Sequence, residues 1–179
     1  MTFDFKQAEK KLFPKGCTAL QIQAITAIMN ECERQGVKLP NQVAYILATP
    51  YHEAYNWNDP MSRMTCLKEM GGEAYLKSKK YYPWYGRGFS HLTWRENYEK
   101  ESKRMGIDLI ANPERLYDYQ VAANSHVYCM MAGAYTGVKL SKYVNSGKTD
   151  FPNARRVING TDKAELIAGY AMEFLKCLK

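Results

Sequence analysis

Residues Tyr81 to Tyr98 read YYPWYGRGFSHLTWRENY, seven aromatic rings in eighteen positions, with Gly86-Arg87-Gly88 set between two groups of them. Rings at this density have three uses: a packed core, a platform on which bases stack, or the wall of a cleft that holds sugars. Base stacking comes with cations interleaved among the rings. Between Tyr81 and Thr93 the only cation is Arg87, with Lys77, Lys79 and Lys80 just outside. Sugars offer C–H faces to rings and hydroxyls to polar side chains, and this stretch places Ser90, His91 and Asn97 among its rings. A core around a hairpin explains the rings equally well, but not those polar neighbours.

Rings around two glycines predict a small irregular hairpin over 80–92. Thr93-Trp-Arg-Glu96 has the spacing of a capping box that opens a helix to about Met105. Everything around this segment reads helical. Thr18 and Gln21 form a capping box ahead of Ile22, Ile25, Met29 and Cys32 at helical spacing, and Gly36 offers a stop. Pro40 and Asn41 open a second helix with Val43, Ala44, Leu47 and Tyr51 as its apolar stripe, in which Pro50 predicts a kink. Asp118 caps a helix to about Tyr135, and Arg155 to Ile158 reads as one short turn. Asp162 with Glu165 starts a last helix whose register is Ala164, Ile167, Ala171, Phe174 and Leu178.

A chain of 179 residues without repeats or Pro/Gly/Ser tracts is expected to form one domain over 1–179. Twenty-five Lys and Arg against eighteen Asp and Glu leave a net charge of +7, which favours approach to any polyanion. Five cysteines without CxxC spacing indicate neither a zinc knuckle nor a complete disulfide framework, so reduced thiols are expected. The start, MTFDFKQAEKKLF, lacks a basic region followed by an apolar run, and no stretch approaches the roughly 18 apolar residues of a membrane span. Action outside the cytoplasm would then need a separate route of release.

His52-Glu53 is the first chemical candidate. On a helix, Glu53 shares a face with Ile46, Thr49 and Pro50, so its carboxylate leaves from a partly apolar side and loses solvation, which suits a general acid. The same spacing fits an exposed glutamate at a helix end. His52 lacks a partner at i+4, so HE here is not the start of a metal-binding HExxH. Sixteen residues on, Glu69 and Glu73 follow a loop carrying Arg63. Two carboxylates on opposite walls of a groove are the parts that cleave a glycosidic bond, although Glu73 also fits a plain surface neighbour of Glu69.

These segments together resemble glycoside hydrolase family 19, the plant-type chitinases and the bacteriophage endolysins related to them. YYPWYGRGFSHLTWRENY is similar to that family's YYGRG-x-x-QL-[ST]-W-x-x-NY signature. ATPYHEAY resembles its His-Glu-Thr segment, LKEMGG its Lys/Arg-Glu stretch, and ARRVINGTDKAELIAGYAMEF its Ile-Asn-Gly segment and closing helix. Four motifs in the family's order cover about residues 40 to 178, and the short length resembles the endolysin branch.

The resemblance implies a mainly α, lysozyme-like single domain with a small β-hairpin beside a substrate cleft. It implies inverting hydrolysis of β-1,4 bonds between N-acetylated sugars, with Glu53 as general acid, Glu69 as general base and Thr93 holding the attacking water. His52, Tyr82, Arg87, Ser90, His91, Trp94, Asn97 and Asn159 fall at substrate-binding positions, and no metal or cofactor is required. Three departures stand out: Ala54 replaces the family's Thr and is followed by YNWNDP, His91 replaces its Gln, and Ser90 stands where an apolar residue is common. The leading expectation is an endolysin that cuts the glycan strands of bacterial peptidoglycan, monomeric, with no nucleic-acid partner and no stable membrane insertion. It would be made in the host cytoplasm and act on the cell wall after pore-dependent release. A chitinase acting on poly-N-acetylglucosamine and a glycan-binding module that has lost hydrolysis are the alternatives.

Overall fold

The computed structural model describes residues 1–179. Eight α-helices carry the fold. α1 (Phe5–Glu9), α2 (Ala19–Arg34) and α3 (Pro40–Glu53) precede α4 (Gly72–Lys77), α5 (Arg95–Met105) and α6 (Tyr119–Ala132). After a two-stranded ladder, β1 (Val144–Asn145) and β2 (Lys148–Thr149), come α7 (Phe151–Ala154) and α8 (Ala164–Leu175). α3 is the axis: every residue from Gln42 to Tyr51 is buried, the signature of a helix covered on all sides. α8 and α2 pack against it, α6 packs on α2 and reaches α3, and α7 packs on α8. A smaller apolar cluster of Leu92, Tyr98, Leu109, Leu116 and Val121 sits under α5. No helix is long and apolar enough to cross a membrane, and all five cysteines are unpaired.

Local chemistry accounts for most helix ends. The Thr18 hydroxyl accepts from the Gln21 N–H at 3.2 Å while the Gln21 amide oxygen accepts from the Thr18 N–H at 2.9 Å, the reciprocal box expected there. Asp118 accepts from the Gln120 and Val121 N–H groups. α6 stops at Ala132 rather than Tyr135, because Gly133 takes a left-handed conformation at its end. The first turn of α8 is not capped by Asp162: Lys163 stands at its N-cap, and the Asp162 carbonyl is engaged by Arg155 Nε at 2.9 Å.

Two expectations around the aromatic stretch are corrected. No two-stranded ladder forms over 80–92; there the backbone makes only single bridges, Lys68 with Arg87 and Arg87 with Leu92. The ladder lies at 144–149, closed by Ser146-Gly147, where Asn145 Oδ1 accepts from the Gly147 N–H. The box at Thr93 does not form either. Trp94, with φ of 76°, becomes the N-cap of α5, and the Thr93 hydroxyl turns back to the His91 carbonyl at 2.7 Å.

Pro50 does not end α3, which runs on to Glu53. Proline has no N–H to give the carbonyl four residues back, and that carbonyl, of Ile46, accepts instead from His126 Nε2 at 2.8 Å. Because a carbonyl only accepts, the His126 proton sits on Nε2, and Nδ1 accepts from the Ser90 hydroxyl at 2.5 Å. Burial pushes the His126 imidazole down to about 4 from its ordinary 6.5. The unfolded chain therefore takes up the proton first on acidification. His126 contributes its full stability above about pH 6.5 and loses it as pH falls toward 4, by roughly 3 kcal/mol in all. Denaturant melts at pH 7 and at about pH 4.5 should show this loss, and His126→Phe should be less stable at pH 7 with a flatter dependence over that interval.

Candidate active site

Glu53 is the last residue of α3, and its carboxylate meets a cation that the sequence reading did not single out. Arg155, 3% exposed, pairs its Nη1 with Glu53 Oε1, while Glu53 keeps 23% exposure. Ile46, Thr49 and Pro50 are buried as expected, yet the carboxylate is not left among apolar neighbours alone. Arg155 opens a 3-10 turn, Arg155–Val157, and its Nε bond to the Asp162 carbonyl fixes the guanidinium from the other side. Glu53 Oε2 has no partner among the hydrogen bonds of the structure, so one oxygen is held and one is free. His52 is partly buried, and burial holds its imidazole below the usual value against the opposing pull of Glu53.

Glu69 is delivered by a different part of the chain. Its own N–H reaches the Gly86 carbonyl at 2.8 Å, and Gly88 N–H reaches the Leu67 carbonyl at 2.9 Å, so 67–69 and 86–88 lie side by side. Both carboxylate oxygens are engaged: Oε1 accepts from the Tyr81 hydroxyl at 2.6 Å and Oε2 from the Gly86 N–H at 2.8 Å. Burial and the adjacent Glu69 raise the Tyr81 phenol above its usual range, so it stays a donor. The Tyr81 ring meets Trp94 edge-on at 5.4 Å, and Trp94 is 50% exposed.

The Gly-Arg-Gly hinge now has a physical explanation. A Cβ on residue 86 would lie 2.7 Å from His91 Cβ and 3.3 Å from Glu69 Oε2, so only glycine lets these two side chains approach. Gly88, with φ of 80°, turns the chain back so that Arg87 and Leu92 exchange backbone bonds. Arg87 itself points inward. It is 2% exposed, stacks 3.6 Å from the Tyr85 ring centroid, and donates to the Pro83 carbonyl and the Tyr98 hydroxyl. It braces the loop from within and does not offer its guanidinium to a ligand. Ser90 is likewise turned from the expected substrate-binding role, because its hydroxyl is spent on His126.

The segments that carry the two carboxylates are joined by a backbone bond. Cys66 N–H reaches the carbonyl of Ala54, the residue after Glu53, at 3.4 Å, which ties the end of α3 to the strip bearing Glu69. The His91 imidazole is held low by burial, and Glu53 and Glu69 both act on it in the opposite sense; its Nε2 is buried without a partner. Thr93 adjoins His91 through their hydrogen bond, and Asn97 Nδ2 donates to the Thr93 carbonyl at 2.8 Å. Tyr82 is exposed and stacks on Tyr85. Asn159 is exposed, and its N–H reaches the Arg155 carbonyl at 2.9 Å. Glu73 is a surface residue paired with Lys77 at 3.2 Å. The larger hollows lie elsewhere on the surface: one of about 550 Å³ includes Cys66 and Lys68, and neither it nor the others includes Glu53 or Glu69.

The architecture, a helical body around a buried central helix with one small β-ladder, is of the lysozyme-like class. Among solved structures it is that of the family 19 chitinases. Chitinase C from Streptomyces griseus HUT6037 matches with a TM-score of 0.70, over 97% of this chain and 76% of that one. A mutant of chitinase C matches at 0.63 over 98% and 91%, and a bacterial family 19 chitinase at 0.58 over 94% and 94%. Identity is 18% in each case, so the likeness is one of fold. The sequence matches no protein-family model and no curated protein.

The Glu53–Arg155 pair yields a stability prediction. Removing one member strands the other, at a cost of about 3 kcal/mol for groups this buried. Arg155→Met should destabilise by that order in denaturant melts, and Arg155→Met combined with Glu53→Gln should recover part of the loss. A double variant no more stable than Arg155→Met would show that the pair is energetically idle.

Proposed function

We propose that this protein is a glycoside hydrolase that inverts β-1,4 bonds between N-acetylated sugars, with the chain acting as a single catalytic domain. The observation that carries the reading is the asymmetry of the two carboxylates. Glu53 keeps one oxygen unclaimed, where a proton can ride and be passed to the departing glycosidic oxygen. Glu69 has both oxygens accepting hydrogen bonds and is fixed from two sides, as suits the base that draws a proton from water. Inversion needs the carboxyls about 6.5–9.5 Å apart so that water fits between them, and each of the two is held by partners of its own. Thr93 and Asn97, joined by a hydrogen bond, would orient the water, while the exposed rings of Trp94 and Tyr82 would meet the sugar. His91 stands where the related enzymes carry Gln and would meet the N-acetyl group.

Within this reading the substrate is bacterial peptidoglycan, and the protein is an endolysin of the phage type, made in the host cytoplasm and reaching the wall through a separate pore. The net charge of +7 supports that choice, since the wall is anionic and chitin is not. A chitinase is the second reading, favoured by the family 19 chitinases that share the fold.

Purified protein incubated with isolated peptidoglycan and with soluble chitin oligomers, followed by analysis of new reducing ends, separates the two. Glu53→Gln and Glu69→Gln should each lose at least ~100-fold in cleavage rate while remaining folded. Chitin cleavage alone would select the second reading, and a wild type that pellets with peptidoglycan but releases nothing would leave a binding module.

A further inference from the structure

Close to the end of α3 lies a cavity of about 230 Å³ that none of the proposed catalytic groups lines. Three of its lining residues are cationic, Lys11, Lys15 and Arg63, and none is acidic. Two carboxylates adjoin it and are engaged by backbone: Asp59 Oδ1 accepts from the Met61 N–H at 2.9 Å and Glu9 Oε1 from the Cys17 N–H at 3.2 Å. The walls are fixed before any ligand arrives. Tyr51 donates its hydroxyl to the Leu12 carbonyl at 2.5 Å, and buried Gln21 binds the Met61 carbonyl at 3.0 Å, which ties the 61–63 loop to α2.

Arg63 is the unusual member. Its guanidinium lies 4.0 Å from the Tyr55 ring centroid and 4.5 Å from that of Tyr51, and Nη1 donates to the Tyr51 carbonyl at 2.8 Å. That carbonyl is in the last turn of α3, so Arg63 caps the helix end that carries Glu53. This one bond uses one of five donors, and no carboxylate lies within ion-pair distance. Arg34, Arg87, Arg95, Arg104 and Arg155 have acidic partners, and the two other arginines without one, Arg115 and Arg156, are exposed. A flat, stacked, half-buried guanidinium with free edge donors and two lysines on the facing loop is the arrangement that takes a carboxylate.

We propose that this cavity binds the carboxylates of the peptide stem that peptidoglycan carries and chitin lacks, so that Lys11, Lys15 and Arg63 set the preference between the two polymers. The inference rests on the glycan-hydrolase reading of the neighbouring Glu53. Tyr51, in the cavity wall, is two residues before Glu53 on the same helix, about 3 Å along its axis but on a different face, so a peptide reaching the cavity passes around the end of α3. The Arg63 bond to the Tyr51 carbonyl sets the guanidinium against the helix turn that ends at Glu53. A saccharide unit at the acid would therefore hold its attached peptide beside the cavity.

The test is equilibrium binding by calorimetry with Glu69→Gln protein, which suppresses turnover. Three ligands are compared: a soluble peptidoglycan fragment with its peptide stem, the same fragment with its carboxylates converted to neutral amides, and a chitin oligomer of equal length. The charged fragment should bind about tenfold more tightly than the other two, the summed yield of two or three partly exposed ion pairs. Added salt should erase the difference. Lys11→Gln with Lys15→Gln, both exposed and outside the catalytic groups, should remove most of the preference and leave chitin-oligomer binding unchanged. Arg63→Gln should do the same, and the lysine variant decides the matter if loss of the helix cap unfolds the protein. Equal binding of charged and amidated fragments overturns the proposal, as does a preference that survives both sets of substitutions. Either result leaves hydrolysis by wild type untouched. Conversely, a charge preference that depends on these residues in a protein that cleaves no glycan would keep the cavity and remove the hydrolase reading.

Discussion

A guanidinium buried to 3% exposure needs an anion, and the anion that Arg155 finds is Glu53, 102 residues away in the chain. Leaving either charge alone at that depth costs several kcal/mol, so the contact between the end of α3 and the turn before α8 is compulsory for this sequence. Its geometric consequence is that Glu53 cannot wander. One oxygen is claimed, the other has no hydrogen-bond partner, and the axis of α3 is anchored behind it by His126 on the Ile46 carbonyl and by Arg63 on the Tyr51 carbonyl.

The second carboxylate is held by a different device. Short extended strips, 67–69 and 86–88, pair by single bridges rather than by a ladder, and they deliver Glu69 to the Tyr81 hydroxyl and the Gly86 amide. A helix terminus thus fixes one group and irregular backbone fixes the other. The two halves meet where Cys66 binds the Ala54 carbonyl and where His91 lies within range of both charges. Preorganisation of this kind gives each carboxylate its own surroundings, which is what two groups need if they are to do opposite proton chemistry.

The sequence showed the helical frame where a local device made it. The Thr18 box, the Asp118 cap and the proline opening α3 act within one turn, and all three are present in the structure. It misled where a distant partner or an unusual backbone angle decided. Thr93 has the spacing of a cap, but a left-handed Trp94 takes that place. The aromatic stretch was read as a hairpin, whereas the Asn-Ser-Gly at 145–147, a plain turn signal, closes the real one. Glu53 and Glu69 were singled out through motif order. Arg155, Tyr81 and Arg63 were not, because nothing local in ARRVING or in a run of rings tells which side chain will face a carboxylate. Arg87 was placed at the substrate by motif position and Ser90 as a polar residue among the rings, and both turn in toward partners that lie far along the chain or are formed only by the fold.

Ser90 and His126 form a single unit of inheritance. The imidazole spends its one proton on the helix opened by Pro50, so its remaining nitrogen depends on a hydroxyl from position 90. A chain with an apolar residue at 90 and histidine retained at 126 strands a buried acceptor, at about 1–3 kcal/mol. A substitution at any one of positions 50, 90 and 126 should therefore be borne best when the other two are changed with it.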